Sequence, residues 1–103
     1  MWAQLITMRV KPGRQGDLTG LMQQFQATEE AGSGHVRSTA MLDQNDPSKA
    51  YMLVVFESEE KARAREGDPR RQENMQAVRE AMAEIFEGAP QFVDLTVVAE
   101  NVS

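Results

Sequence analysis

Apolar and polar positions alternate along the first strand-like segment of the chain, and a helical spacing follows it. Residues 2–10 alternate and are rich in strand-forming side chains, and Lys11-Pro12-Gly13 then supplies a turn. After Asp17, apolar residues recur at i, i+3, i+4 and i+7, namely Leu18, Leu21, Met22 and Phe25. This spacing predicts an amphipathic helix over roughly residues 16–31, which the glycines of Gly32-Ser33-Gly34 end.

Two further extended segments come next. The first runs from His35 to Leu42 and the second from Ala50 to Phe56, with a polar turn at residues 43–48 between them. The second segment is apolar at nearly every position, which is typical of a strand that is covered on both faces.

The second half of the chain begins with helix-capping residues. Ser58 precedes two glutamates and is a typical N-cap, and Gly67 ends the short helix that it begins. Asp68 and Pro69 then restart a helix, with aspartate as the cap and proline at the first helical position.

The restarted helix is predicted to be long. Gly88 and Pro90 close it, a fourth strand is predicted at residues 92–99, and the buried stripe consists of Met75, Val78, Met82, Ile85 and Phe86. The resulting order β-α-β-β-α-β predicts a ferredoxin-like α+β fold with a four-stranded antiparallel sheet and the helices on one face.

The predicted sheet has apolar residues on both faces. Leu5 lies beside Ile6 and Val54 beside Val55, so each strand presents an apolar side chain to either side. Two helices cover one face only, and monomers avoid an exposed apolar face of this kind. We therefore expect a homodimer in which the second face packs against another copy of the chain.

Composition narrows the classes of function. With 103 residues, 41% of them hydrophobic, the chain fits a single domain over residues 1–103. It has no cysteine and a net charge of −5, which disfavours thiolate chemistry and nucleic-acid binding. No segment has the length and apolarity of a signal peptide or a membrane span, so we expect a cytoplasmic protein with no membrane partner.

Four segments of the chain are distinctive when taken together. They are Arg9-Val10-Lys11-Pro12-Gly13, the hairpin from Met41 to Pro47, the strand-to-helix passage from Val54 to Glu60, and Phe86-Glu87-Gly88-Ala89-Pro90. With them the chain resembles the antibiotic-biosynthesis monooxygenase-like domains of the dimeric α+β barrel superfamily. The resemblance implies a barrel formed across a dimer, and a cleft in each protomer between helices and sheet. Known members include cofactor-independent oxygenases of phenols and quinols, and haem-degrading enzymes.

The resemblance also implies which chemistry is missing. Haem-degrading members use an asparagine in the first strand, a tryptophan on the short helix and a histidine on the long helix. In our alignment these places hold Ile6, Arg65 and Met75, so we do not expect haem degradation. No metal-ligand motif or nucleotide-binding loop is present, and we expect no cofactor.

The function favoured at this point is a cofactor-independent monooxygenase of a small aromatic phenol or quinol. From the resemblance, Arg65 is expected to stabilise the phenolate and Asn74 to hydrogen-bond the oxygenated intermediate, and the cleft wall is expected to contain Ile6, Met8, Met75 and Met82. The alternative is a non-enzymatic dimer that binds a small apolar metabolite or a protein partner.

Other candidate residues have ordinary structural interpretations. His35, the only histidine, is a general-base candidate, but at the start of an edge strand a solvent-facing position is the expectation. The arginines Arg63, Arg65, Arg70 and Arg71 could hold an anionic or phenolate substrate, but they are interleaved with acids, so a solvated helix surface is the expectation. Replacing Arg65 is therefore expected to change fold stability little, because an exposed ion pair contributes only about 0–1 kcal/mol.

Overall fold

A computed structural model describes residues 1–103 and contains one antiparallel sheet of four strands. The strands are β1 (Trp2–Val10), β2 (His35–Leu42), β3 (Lys49–Phe56) and β4 (Phe86–Thr96). Their order across the sheet is β2-β3-β1-β4, and every neighbouring pair is antiparallel. The predicted ferredoxin-like α+β fold is confirmed, because this order places the first and third strands at the centre.

The helices connect these strands in the predicted order. A short 3₁₀ turn (Gln15–Asp17) leads into α1 (Leu18–Thr28), and α2 (Glu59–Glu66), α3 (Pro69–Asn74) and α4 (Gln76–Ile85) follow β3. None of these helices combines the length and apolarity that crossing a membrane would require.

The predicted caps at both ends of α2 and at the start of α3 are present. The Ser58 hydroxyl accepts a hydrogen bond from the Lys61 amide at 3.2 Å, and Gly67 caps the other end of α2. The Asp68 carboxylate accepts from the Arg70 amide at 2.9 Å, with Pro69 at the first helical position. Short polar side chains therefore satisfy backbone donors that the first helical turn leaves free.

The prediction for the end of the long helix was wrong. The helix is interrupted at Met75, whose ψ of −5° departs from helical geometry, and it ends at Ile85. Residues 86–91, assigned to the helix end and a loop, belong to β4, which ends at Thr96. Gly88, with a φ of +74°, lies at the irregularity where β4 changes register against β1. Pro90 is tolerated here because β4 is an edge strand.

The two faces of the sheet differ in their surroundings. The inner face packs against the helices, and its strands contribute to the buried core Trp2, Met8, Val10, Ala50, Met52, Val54 and Phe56. The outer face carries the alternate residues of the same strands, Ala3, Leu5, Tyr51, Leu53, Val55, Val93 and Leu95. Ala3 and Val55 are buried, whereas Val93 remains 48% exposed and Leu95 38% exposed. The sheet thus separates a helix-covered core from a partly exposed apolar surface.

Candidate functional site

The main cleft lies between the inner face of the sheet and helices α1, α2, α3 and α4. Its volume is about 130 Å³, and its apolar wall consists of Ile6, Met8, Met22, Phe25, Met52, Val54, Phe56, Met82 and Phe92. An apolar protein cavity of about 150 Å³ holds one benzene molecule. The cleft is therefore of the size that accommodates a single aromatic ring.

Polar side chains complete the lining of the cleft. These side chains come from strands β1 and β2, helices α1, α2 and α3 and the C-cap of α1, and they are Gln4, Gln26, Glu29, His35, Ser38, Arg65, Glu66 and Arg71. An apolar cavity with a few convergent polar groups is the usual form of a small-molecule site.

The residues expected at the site are only partly brought together. Ile6, Met8, Met82 and Arg65 line the cleft. Met75 does not line it, but packs half-buried against the core with its sulfur 3.8 Å from the Thr28 hydroxyl. Asn74 is exposed at the end of α3 and lies outside the cleft lining.

Arg65 is held in place by a carboxylate rather than left free. Its Nε donates to Glu29 Oε2 at 3.1 Å, and its Nη2 donates to the other oxygen of the same carboxylate. The guanidinium carbon lies 5.0 Å from the centre of the Phe56 ring. The side chains of Arg65 and Glu29 are only 12% and 13% exposed, so the pair is not the solvated ion pair that the sequence suggested.

Arg71 is the second cation beside Glu29. Its Nη1 lies 3.5 Å from Glu29 Oε1 and donates to the Thr28 hydroxyl at 3.4 Å, and its side chain is 15% exposed. Burial lowers the pKa of Arg71, with a further contribution from the charge of Arg65. Arg65 and Arg71 are half-buried, in contrast to the expectation of a solvated surface.

The protonation of Glu29 follows from these contacts. Burial alone would raise the pKa of Glu29, but the hydrogen bond and charge of Arg65, with His35 and Arg71, outweigh it and lower this pKa. The carboxylate therefore stays ionised at neutral pH. Within the cluster of Glu29, Arg65 and Arg71, two cations face one anion, whereas Glu66, the other acid of the lining, pairs with Arg63.

The expectation of a solvent-facing His35 was wrong. The residue is half-buried in the cleft lining, with its ring edge-on to Phe56 at 5.9 Å between centroids. Its Nε2 lies 2.7 Å from the Ser38 hydroxyl. Burial lowers the pKa of His35, and the nearby charge of Glu29 only partly opposes this. The imidazole is therefore neutral near neutral pH.

Glu29 was not predicted as a site residue, and Arg71 and His35 were candidates for which a solvated surface position was expected, although Glu29 and Arg71 carry a sequence signal. Glu29 follows Phe25 by four residues and Arg71 precedes Met75 by four, so each charge continues an apolar helical stripe. A charged side chain that continues a buried apolar stripe needs a partner of opposite charge, and Glu29 and Arg71 are such a pair. His35 carries no such signal.

The glycine before His35 is expected to be essential to the position of this histidine. Gly34 has a φ of +86°, and a Cβ added there would lie 2.6 Å from the Cβ of Lys61. Gly34→Ala is expected to lower the free energy of unfolding by about 2–4 kcal/mol, the sum of left-handed strain and a steric clash. Chemical denaturation measures this.

Gly32→Ala is the matched control for that measurement. Gly32 has a similar φ of +82° but no atom within 4 Å of the added Cβ. Its cost should be only the backbone strain of about 1–2 kcal/mol. Equal destabilisation by the two substitutions would contradict the close contact of Gly34 with α2.

The cleft lining favours an organic ligand over a metal ion. No group of three His, Asp or Glu side chains is arranged to hold a metal ion. The groups that converge on the cleft suit an organic ring with an ionisable oxygen, because they combine apolar walls, a neutral imidazole and two guanidinium groups.

Comparison with protein families gives one match. The model of a family described as "Antibiotic biosynthesis monooxygenase" matches residues 1–81. A comparison with curated proteins finds no match.

Several solved structures share the fold of this chain. A candidate antibiotic biosynthesis monooxygenase from Bordetella bronchiseptica is 19% identical with a TM-score of 0.75, covering 95% of this chain and 97% of that one. SnoaB from Streptomyces nogalater, described as a cofactor-independent oxygenase and solved as a mutant, is 12% identical with a TM-score of 0.72, covering 96% and 94%. A protein of unknown function from Nitrosomonas europaea is 19% identical with a TM-score of 0.70, covering 99% and 93%. At these identities the likeness is one of fold.

Proposed function

The chain belongs to the antibiotic biosynthesis monooxygenase family, and from this membership we propose that it is a cofactor-independent monooxygenase of single-ring phenols or quinols. The observation that carries the proposal is the ring-sized apolar cleft with charged and basic residues in its lining. The similarity of fold to SnoaB, a cofactor-independent oxygenase, supports the same reaction class.

The proposed reaction needs no electrons other than those of the substrate. Loss of the phenolic proton gives a phenolate, which transfers one electron to O₂, and the two radicals combine at a ring carbon. The resulting hydroperoxide loses its ring proton as the O–O bond breaks, so one oxygen atom stays as a quinone carbonyl and the other leaves as water. Each phenol and O₂ thus give one quinone and one water.

Arg65 is proposed to stabilise the phenolate, with Arg71 beside it. Both guanidinium groups lie in a poorly hydrated site, where a charge interaction is stronger than in water. Glu29 already occupies one edge of the Arg65 guanidinium group. A bound phenolate would therefore interact with the positive charge of Arg65 and with its remaining N–H donors. No role is proposed for Asn74, because it lies outside the cleft lining.

The experiment that tests this function is oxygen consumption with a graded panel of quinols. We expect uptake with single-ring quinols and catechols, and little with anthrones of three fused rings, because about 130 Å³ holds one ring. The control is Ile6→Phe, which adds a ring to the cleft wall and should abolish uptake. Equal rates for the parent and Ile6→Phe, or no uptake with any member, would contradict the proposal.

A non-enzymatic binding role is the second candidate, and one observation favours it. The fork of Arg65, the residue expected to meet the substrate, is occupied by Glu29. In that case a single-ring phenol would bind in the cleft without oxygen consumption. The same panel, followed by calorimetry as well as by oxygen uptake, separates the two candidates.

We propose that the protein works as a homodimer joined through the outer face. This face carries Leu5, Val93 and Leu95 on adjacent strands, and the last two are well exposed in the isolated chain. Contiguous apolar surface of this kind is typical of an interface between subunits. If two copies pair the same surface around a two-fold axis, the surface is buried in both and the assembly stops at a dimer.

A further inference from the structure

An irregularity at the start of β2 controls where His35 points. The register of β2 against β3 shifts between His35 and Arg37, with Val36 as the extra residue. In a regular strand, residues three apart face opposite sides, but the bulge brings His35 and Ser38 to the same inner face. The 2.7 Å contact between their side chains follows from this shift.

The backbone that carries His35 is fixed on both sides. The Gly34 carbonyl accepts a hydrogen bond from the Glu57 amide at 2.8 Å, and the Ser33 hydroxyl accepts from the His35 amide at 3.3 Å. The imidazole is fixed in turn by Ser38 and by the Phe56 ring. A functional side chain held this firmly needs little reorganisation when a ligand binds.

The second ring nitrogen of His35 remains available. Nε2 makes the contact to Ser38, whereas Nδ1 makes no hydrogen bond within the protein. Nδ1 is not among the buried side-chain atoms that lack a hydrogen-bond partner, so it is accessible from the cleft or from solvent. If Nε2–H donates to Ser38, Nδ1 carries the free lone pair.

No other cleft group is as suitable a proton acceptor. Both oxygens of Glu29 are engaged by arginine, and the lowered pKa of Glu29 makes its carboxylate a weak base. Glu66 is exposed and lies 3.5 Å from Arg63 in an ion pair. The two cleft arginines are donors only.

We propose that His35 is the general base of this cleft, and that its Nδ1 accepts the hydroxyl proton of a bound phenol. The inference rests on the proposed function, since it names the base for the same substrate. The phenol O–H bond breaks, an N–H bond forms on the imidazole, and the electron pair remains on the phenolate oxygen. The new imidazolium faces the Glu29 carboxylate as well as the phenolate, while Arg65 and Arg71 offset part of that stabilisation.

The experiment uses the fact that His35 is the only histidine. The protein is labelled with ¹⁵N-histidine, and the imidazole nitrogens are followed by NMR from pH 5 to pH 9, alone and with saturating 4-nitrophenol, whose phenolate absorbs visible light. Without the probe we expect His35 to titrate below its ordinary pKa. With the probe we expect its pKa to rise together with the appearance of bound phenolate at a pH where the free probe is protonated.

The matched variant is His35→Gln, which retains a polar side chain near Ser38 but has no basic nitrogen. It should bind the probe mainly as the neutral phenol, and where quinols are oxidised it should lower kcat about a hundredfold. Circular dichroism and a melting curve establish that the variant is folded.

Three results would overturn the proposal, and they are separable from failure of the proposed function. They are a His35 titration unchanged by saturating probe, phenolate bound equally by the parent and His35→Gln, and absence of probe binding. If the probe becomes a phenolate paired with protonated His35 but no quinol consumes oxygen, the base assignment stands and the monooxygenase proposal fails. If quinols are oxidised equally by the parent and His35→Gln, the monooxygenase proposal stands and the base assignment fails.

Discussion

Leu5→Asp is expected to convert the proposed homodimer into monomers or to prevent folding. Leu5 lies at the centre of the outer face, paired with Leu53 on one neighbouring strand and Val93 on the other. An aspartate there would be an unpaired charge within the proposed interface, at a cost on the order of 3–5 kcal/mol for each copy. Sedimentation or light scattering measures the change from twice the 11.5 kDa chain mass.

A charge added elsewhere is the control for Leu5→Asp. Gln24→Asp places the same new carboxylate on an exposed position of α1 and should leave the mass unchanged. The homodimer proposal fails if the parent sediments as a stable monomer at micromolar concentration. It also fails if Leu5→Asp assembles as the parent does.

Arg65→Ala is expected to reduce both ligand binding and stability. It removes the cation nearest to the Phe56 ring and leaves half-buried Glu29 with Arg71 as its remaining ion-pair partner. Loss of a partner from a buried acceptor costs about 1–3 kcal/mol of unfolding free energy. Loss of one preorganised donor to an oxyanion lowers turnover by roughly a hundredfold. Denaturation curves and oxygen uptake measure the two effects.

A second substitution distinguishes the two effects of Arg65→Ala. Adding Glu29→Gln removes the half-buried carboxylate that has lost Arg65 as a partner, so the double variant should recover much of the stability but none of the activity. Arg65→Lys should be intermediate in both, because it keeps the charge and loses the planar fork. If Arg65→Ala is as stable as the parent and equally active, Arg65 is only a surface residue.

Local chemistry explains why most of the fold could be predicted. The bounds of β1 and β2 and the caps Ser58 and Asp68 agree with the prediction, because strand alternation and capping depend on neighbouring residues. The segment after Ile85 could not be predicted in the same way. Gly88 and Pro90 are typical of a helix end, but here they occupy an irregular edge strand whose pairing with β1 is set by tertiary contacts.

The candidate site was less predictable than the fold. The residues carried over from the family resemblance include Arg65 at the cleft, but its contact with Glu29 joins residues 36 positions apart. The inward orientation of His35 depends on a bulge, and alternation alone does not indicate where a strand contains an extra residue. Sequence periodicity predicts which face of a helix or strand is apolar. It does not predict which charged residues from different helices will contact one another, and this site depends on such contacts.

The alternation of β1 has a consequence for how the protein can change by single mutations. Gln4, Ile6 and Met8 line the cleft, whereas the intervening Leu5 faces the outer surface. Substitutions at neighbouring positions of β1 therefore affect different properties. Even-numbered residues face the cleft side of the sheet, and odd-numbered residues face the outer surface. The shape of the cleft and the properties of the outer surface can consequently change independently, although both are encoded within one nine-residue strand.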